Sequence, residues 1–171
     1  MNWKMLVAGL VPIIALVAVL ANGFGKDPKA LPSMLDGKPA PGFILYDLDG
    51  QQVTLEQFAG SPVVINFWAT WCRPCAVEHP ILLQSAEMYG PRGVQFLGVV
   101  YGDTEEKVRP YLKRHGSSYP ALLDPGQRTA IDYGVGGVPE TFFLSREHII
   151  VRKHAGPLSF NIISEVLEEL L

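Results

Sequence analysis

Cys72 and Cys75 are the only cysteines of the chain, and they stand three residues apart within Trp68-Ala69-Thr70-Trp71-Cys72-Arg73-Pro74-Cys75. A pair this close encloses too short a loop to staple a fold, so its use is chemical or metal-binding. The segment follows an apolar run and opens a helical pattern. Residues i and i+3 of a helix share a face, so two sulfurs there reach bonding distance with little backbone distortion. At a helix N-terminus, unsatisfied N–H groups and the positive end of the macrodipole favour a thiolate, which marks Cys72 as the nucleophile. Arg73 adds charge in the same sense. Cys75, one turn inside, is expected to be less exposed and to resolve the mixed disulfide that Cys72 forms. Two blander readings compete: half of a zinc site, and a disulfide that never opens. A structural zinc takes four ligands. No second cysteine pair exists, and although His79 lies close enough to join, His115, His148 and His154 are scattered. The reading calls for no cofactor and no metal.

Glu78, three residues after Cys75, falls on the same helical face. A carboxylate there disfavours a thiolate, raises a cysteine pKa and can exchange protons with Cys75. The alternative is a solvated glutamate in the first half of a helix, and His79 reads as a surface residue. Trp68 and Trp71 divide between core and an apolar platform beside the sulfurs. Gly134-Val135-Gly136-Gly137-Val138-Pro139 is not a dinucleotide loop, because a strand and not a helix follows it. Gly136 and Gly137 more plausibly let a partner's backbone come close. Taken alone, Pro139 reads as a strand-edge proline.

Elements must position these groups. Val63 to Phe67 and Val94 to Val100 are nearly continuous runs of β-formers, the pattern of central parallel strands covered on both faces. Cys72 to Tyr89 between them predicts a helix with Val77, Ile81, Leu82 and Met88 on its buried stripe, Pro74 in its first turn and a kink at Pro80. Phe43 to Tyr46 and Gln52 to Thr54 flank Asp49-Gly50 as a small opening hairpin. Glu105 to His115 reads as a second crossover helix, opened by Asp103-Thr104 and closed by Gly116. A short strand at 119–123 and a short helix at 127–133 precede a strand pair, Thr141 to Leu144 and Ile149 to His154, and an amphipathic helix over 159–171. This is an α/β fold, a mixed sheet flanked by helices.

The whole chain has 171 residues, 48% of them hydrophobic, enough for one ordinary core once a targeting segment is set aside. A net charge of −3 and the lack of any Lys/Arg run leave no footprint for a phosphate backbone, which argues against nucleic acid as partner. Met5 to Ala21 runs 17 residues without a charge. At about 1.5 Å of rise per residue, that lies at the lower limit for spanning ~30 Å of hydrocarbon. Residues 1–21 therefore read as a signal-anchor or transmembrane helix, 22–36 as a linker and 37–171 as the folded domain. A cleavable signal peptide competes, with Val19-Leu20-Ala21 as its cleavage site.

Trp-Cys-x-x-Cys after a strand, with Val138-Pro139 before a later one, resembles the thioredoxin superfamily. More narrowly, Gly37-Lys38-Pro39-Ala40-Pro41, Trp68-Ala69-Thr70-Trp71-Cys72, Glu78-His79, Gly134-Val135-Gly136-Gly137-Val138-Pro139-Glu140-Thr141-Phe142 and His154-Ala155-Gly156 resemble its cytochrome c biogenesis branch, the CcmG/DsbE proteins, with ResA and TlpA as relatives. The resemblance implies a thioredoxin-like sheet and a membrane-anchored reductant facing the bacterial periplasm. Its clients would be apocytochrome c or its thiol chaperone, and a membrane thiol-disulfide reductase would be its electron donor. It makes Pro139 a cis-proline beside the cysteines, pairs the Val138 backbone with the client, and places Trp71, Gly136, Gly137 and Glu140 at the client surface. Gly136 stands where enterobacterial relatives commonly have Tyr, and Arg73-Pro74 replaces their Pro-Thr. The rival readings are a general extracytoplasmic disulfide oxidant or isomerase, a thiol peroxidase, and a binding module whose cysteines only hold a loop.

Overall fold

The computed structural model describes residues 35–171 together with Trp3, Leu10, Ile13, Val17 and Ala18. Those five are helical and exposed; the rest of the expected anchor and nearly all of the linker lie outside the described residues. Among the described residues no helix is long and apolar enough to cross a membrane.

Two six-residue strands, β3 (Val63–Trp68) and β4 (Gln95–Val100), run parallel at the centre of a seven-stranded sheet. Every residue of β3 is buried, which is what its unbroken apolar run requires. β4 is followed by β5 (Ala121–Leu123), again parallel, and then by the antiparallel hairpin β1 (Ile44–Asp47) and β2 (Gln52–Thr54) at the edge. On the other side of β3 lie β6 (Glu140–Leu144) and β7 (Ile150–Ala155), both antiparallel to their neighbours, giving the order β2-β1-β5-β4-β3-β6-β7. The opening hairpin turns through Leu48-Asp49-Gly50 rather than a two-residue tip. Asp47 Oδ1 accepts from the amides of Asp49 and Gln51, and only Gly50 has a positive φ.

Alternation along β3 divides the core. Val63, Ile65 and Phe67 pack with Leu45, Leu97 and Phe142 on one face, while Val64 packs with Leu82, Phe143 and Ile163 on the other. The second face is covered by α1 (Arg73–Tyr89) and α4 (Phe160–Leu170), whose N-cap Ser159 accepts from the Ile162 amide. The second crossover helix, α2 (Glu105–His115), has the expected bounds and ends at Gly116 with φ 95°. α3 is a short helix, Arg128–Asp132.

α1 differs from expectation in its facing. Its buried residues are Cys75, Glu78, His79, Leu82, Ser85 and Tyr89, whereas Val77 and Met88 are exposed. The helix continues through Pro80. Its buried stripe is half polar, so an apolar count cannot find it.

Candidate functional site

The β3 register aims the chemistry. Trp68 ends β3 opposite Val100, and the chain then turns through Ala69-Thr70-Trp71 into Cys72, the N-cap of α1. A loop after β4 holds this turn. The Tyr101 amide donates to Trp68 O at 2.8 Å, and the Trp71 indole Nε1–H donates to Gly102 O at 3.3 Å. Asp103 Oδ2 accepts from both the Thr70 amide at 2.8 Å and the Thr70 hydroxyl at 2.5 Å, while Oδ1 accepts from the Thr104 amide. Asp103 was expected only as a helix cap. Thr104 takes the N-cap position without a side-chain cap bond, and the Asp103 carboxylate is a brace for the cysteine turn. Its burial favours protonation, but the Thr70 and Thr104 hydrogen bonds and nearby Lys107 outweigh that and hold it below the usual carboxylate range.

Cys72 and Cys75 are joined by a disulfide across a Cα–Cα distance of 5.3 Å. The Cys75 amide donates to Cys72 Sγ at 3.1 Å. A helix-terminal N–H thus already points at the sulfur that would carry charge after reduction. The expected contrast in exposure is slight, with Cys72 4% and Cys75 3% exposed. Trp68, Ala69 and the partly buried Val138 pack around the pair, so position in the first turn distinguishes the two sulfurs more than exposure does. Trp68 is core. Trp71, next to Cys72, is 58% exposed.

One turn further along α1, Glu78 enters a buried polar network. Glu78, 0% exposed, accepts from Asn66 Nδ2 at 2.8 Å on Oε1 and from the Leu158 amide at 2.7 Å on Oε2. Asn66 Nδ2 also donates to Thr141 Oγ1 at 2.9 Å, a pairing set by the β3–β6 register. Burial drives the Glu78 carboxyl up to about 7 against the pull of those two hydrogen bonds. A solvated surface glutamate is therefore ruled out. The same burial corrects the reading of His79, whose Nε2 lies 3.0 Å from Gly116 O and whose ring packs near Trp68 and Tyr111. Burial lowers its pKa. Neither Asn66 nor Thr141 was singled out from sequence, because each looks like an ordinary strand residue until the register pairs it.

The Val138–Pro139 peptide bond is cis and Pro139 is buried. Gly136 is exposed at the rim, and Gly137 has open space where a side chain would stand. Glu140 opens β6 opposite Phe67 and is nearly enclosed. Its Oε1 accepts from the Gly136 amide at 3.3 Å, and its Oε2 lies 2.8 Å from Lys153 Nζ. A freely solvated Glu140 is excluded. Lys153 escaped notice from sequence, since a lone lysine in a terminal strand carries no local signal.

Among the described residues no group of three or more His, Cys, Asp or Glu side chains could hold a metal ion. The arrangement suits reversible disulfide chemistry: two bonded sulfurs at a helix tip, with a buried carboxyl that ionises near neutral pH one turn further along the same helix.

Comparisons with known proteins agree with this chemistry. The AhpC/TSA family model matches residues 37–153. The chain is 36% identical over 168 residues to the thiol:disulfide interchange protein DsbE of Allochromatium vinosum, covering 95% of this chain and 91% of that protein. It is 34% identical to the thiol:disulfide interchange protein HelX of Rhodobacter capsulatus, with 94% and 93% covered. Among solved structures, a thiol:disulfide interchange protein of the thioredoxin family from Chlorobium tepidum superposes with a TM-score of 0.69 at 28% identity, covering 77% of this chain and 94% of that one. The likeness establishes the sheet and its helices as thioredoxin-like.

Proposed function

Because this chain belongs to the AhpC/TSA family and is a thiol-disulfide oxidoreductase, we propose that it reduces a disulfide of apocytochrome c or of its thiol chaperone during cytochrome c maturation. The observation that carries the reading is the Cys72–Cys75 disulfide at the tip of α1 with the buried Glu78 carboxyl one turn behind it. A buried carboxylate makes thiolates less favourable, which stabilises the disulfide product and so favours a reductant over an oxidant. Arg73 at the helix start acts in the opposite direction.

In the proposed cycle Cys72 thiolate attacks one client sulfur, forming the Cys72–client disulfide as the client disulfide breaks and its other sulfur leaves as thiolate. Cys75 gives its proton to Glu78 and attacks Cys72 Sγ. The mixed disulfide breaks, the second client sulfur leaves, and the Cys72–Cys75 disulfide seen in the structure forms. Pro139 borders the site, the Val138 backbone pairs with the client segment, and Trp71, Gly136, Gly137 and Glu140 shape the surface it meets. A membrane thiol-disulfide reductase then re-reduces the pair.

The proposed setting is the bacterial inner membrane, with residues 1–21 as a single-pass anchor and the domain facing the periplasm. The uncharged run from Met5 to Ala21 supports it, as do the exposed apolar helical residues Leu10, Ile13 and Val17.

The deciding experiment is capture with Cys75→Ala in cells that make c-type cytochromes. The variant should accumulate a mixed disulfide through Cys72 with apocytochrome c or its chaperone. Capture of unrelated periplasmic proteins only, or of none, would refute the client assignment. A measured reduction potential near the roughly −270 mV of thioredoxin supports a reductant, whereas one near the roughly −120 mV of a strong periplasmic oxidant would reverse the direction.

A further inference from the structure

We infer that Lys153 is a specificity-determining positioning residue, which ties the two ends of the Gly134–Glu140 loop together and so holds its bare backbone open to an extended polypeptide carrying the disulfide. The inference rests on the reading that this loop meets the client. Lys153 lies on β7 opposite Phe142 of β6. Its ammonium group sits 2.8 Å from Glu140 Oε2, donates to Gly134 O at 2.9 Å, and stands 5.2 Å from the centre of the Phe142 ring. Gly134 begins the loop and Glu140 ends it. One cation therefore joins both ends, and the other carboxylate oxygen of Glu140 takes the Gly136 amide in the middle.

The Lys153 and Glu140 side chains are only 18% and 10% exposed. Exposed ion pairs contribute little, but a shielded one whose partner is removed leaves a carboxylate in poor solvent. Fastening β6 to β7 is not the need being met, because the ladder already runs from Glu140↔Ala155 to Leu144↔Ile150.

The glycines between the tied ends point to what the clamp serves. Neither Gly136 nor Gly137 has a positive φ. A Cβ at Gly137 would meet nothing within 4 Å, and one at Gly136 only Glu140 Oε1 at 3.7 Å. The fold therefore has no steric need for glycine at either position. What their lack of side chains leaves is accessible main chain beside the cis Val138–Pro139 bond, the surface an extended peptide requires for backbone pairing. Loss of the clamp would let this surface shift without touching the sulfurs.

The test compares reduced full-length protein acting on two substrates: an extended peptide containing a disulfide, and hydroxyethyl disulfide, which has no backbone to pair. Lys153→Met should lower the second-order rate constant for reducing the peptide by roughly 10-fold, short of the ~10²-fold that 1 Å of misplacement at a reacting centre can cost. It should leave the rate with hydroxyethyl disulfide and the pH profile of Cys72 alkylation unchanged. Lys153→Arg should restore the peptide rate, since it keeps the cation. Glu140→Gln, which cuts the same pair without stranding a carboxylate, should lower the peptide rate as well and serves if Lys153→Met does not fold. An equal loss on both substrates, or no loss on the peptide, would overturn the role of Lys153. If the wild-type protein itself does not prefer the peptide, the loop does not read the client, and the premise fails before Lys153 is at issue.

Discussion

A carboxyl group with no exposure to solvent, held by one side-chain amide and one backbone amide, makes part of the fold's stability depend on pH. Glu78 ionises at about 7 in the folded protein, against its ordinary 4.5. The folded state therefore holds this proton more tightly than the unfolded chain does. Its contribution is fully present below about pH 4.5 and is lost as pH rises through about 7. The shift corresponds to a contribution on the order of 3 kcal/mol. Denaturant titration of oxidised wild type and Glu78→Gln at several pH values should show the wild type losing stability relative to the variant between pH 5 and 8. Parallel curves would remove Glu78 as the titrating group. In the reduced protein the same substitution should lower the pKa of Cys75, read from thiolate absorbance, because it removes the nearby negative charge.

At the scale of elements, the cysteine turn is held by the loop after β4 as well as by the first turn of α1. Asp103 gives the Thr70 amide and hydroxyl a common acceptor, and Trp71 leans on Gly102 O. Asp103→Ala leaves the Thr70 and Thr104 donors without their charged partner. A cost of about 1.5–3 kcal/mol in unfolding free energy is expected for hydrogen bonds to a charged group. Cys72 should also react more slowly with iodoacetamide at a given thiolate fraction, because its segment is no longer fixed. Asp103→Asn, which keeps an acceptor, should fall between. A carboxyl held below its usual range contributes stability above about pH 3.8 that is lost as pH falls through its folded value. Changing pH near neutrality therefore does not mimic the mutation. A stability loss with unchanged alkylation kinetics would make Asp103 a structural brace alone.

For the molecule as a whole, the disulfide belongs to a smaller buried cluster with Trp68, Ala69, Val100 and Val108, and neither of the two larger cores includes it. A loop of so few residues restrains the unfolded chain by only ~2 kcal/mol. The reduced protein, and Cys72→Ser/Cys75→Ser, should therefore unfold cooperatively with at most that loss by urea titration. Collapse of the fold on reduction would mean that the bond is structural and would count against a cycling role.

The sequence by itself was enough for the cysteine pair and its place at a strand-to-helix turn, for the order of the elements, and for the Cys75–Glu78 face, because these depend on neighbours within one or two turns. What surrounds the sulfurs depends on contacts between distant parts of the chain. Asn66 reaches Glu78 across 12 residues and Thr141 across 75, Thr70 finds Asp103 across 33, and the Leu158 amide finds Glu78 across 80. Such contacts follow from sheet register and helix docking, which no local pattern encodes. For the same reason the exposure of Val77 and Met88 and the burial of His79 went against the apolar pattern: α1 turns its polar residues toward a network that the far end of the chain completes.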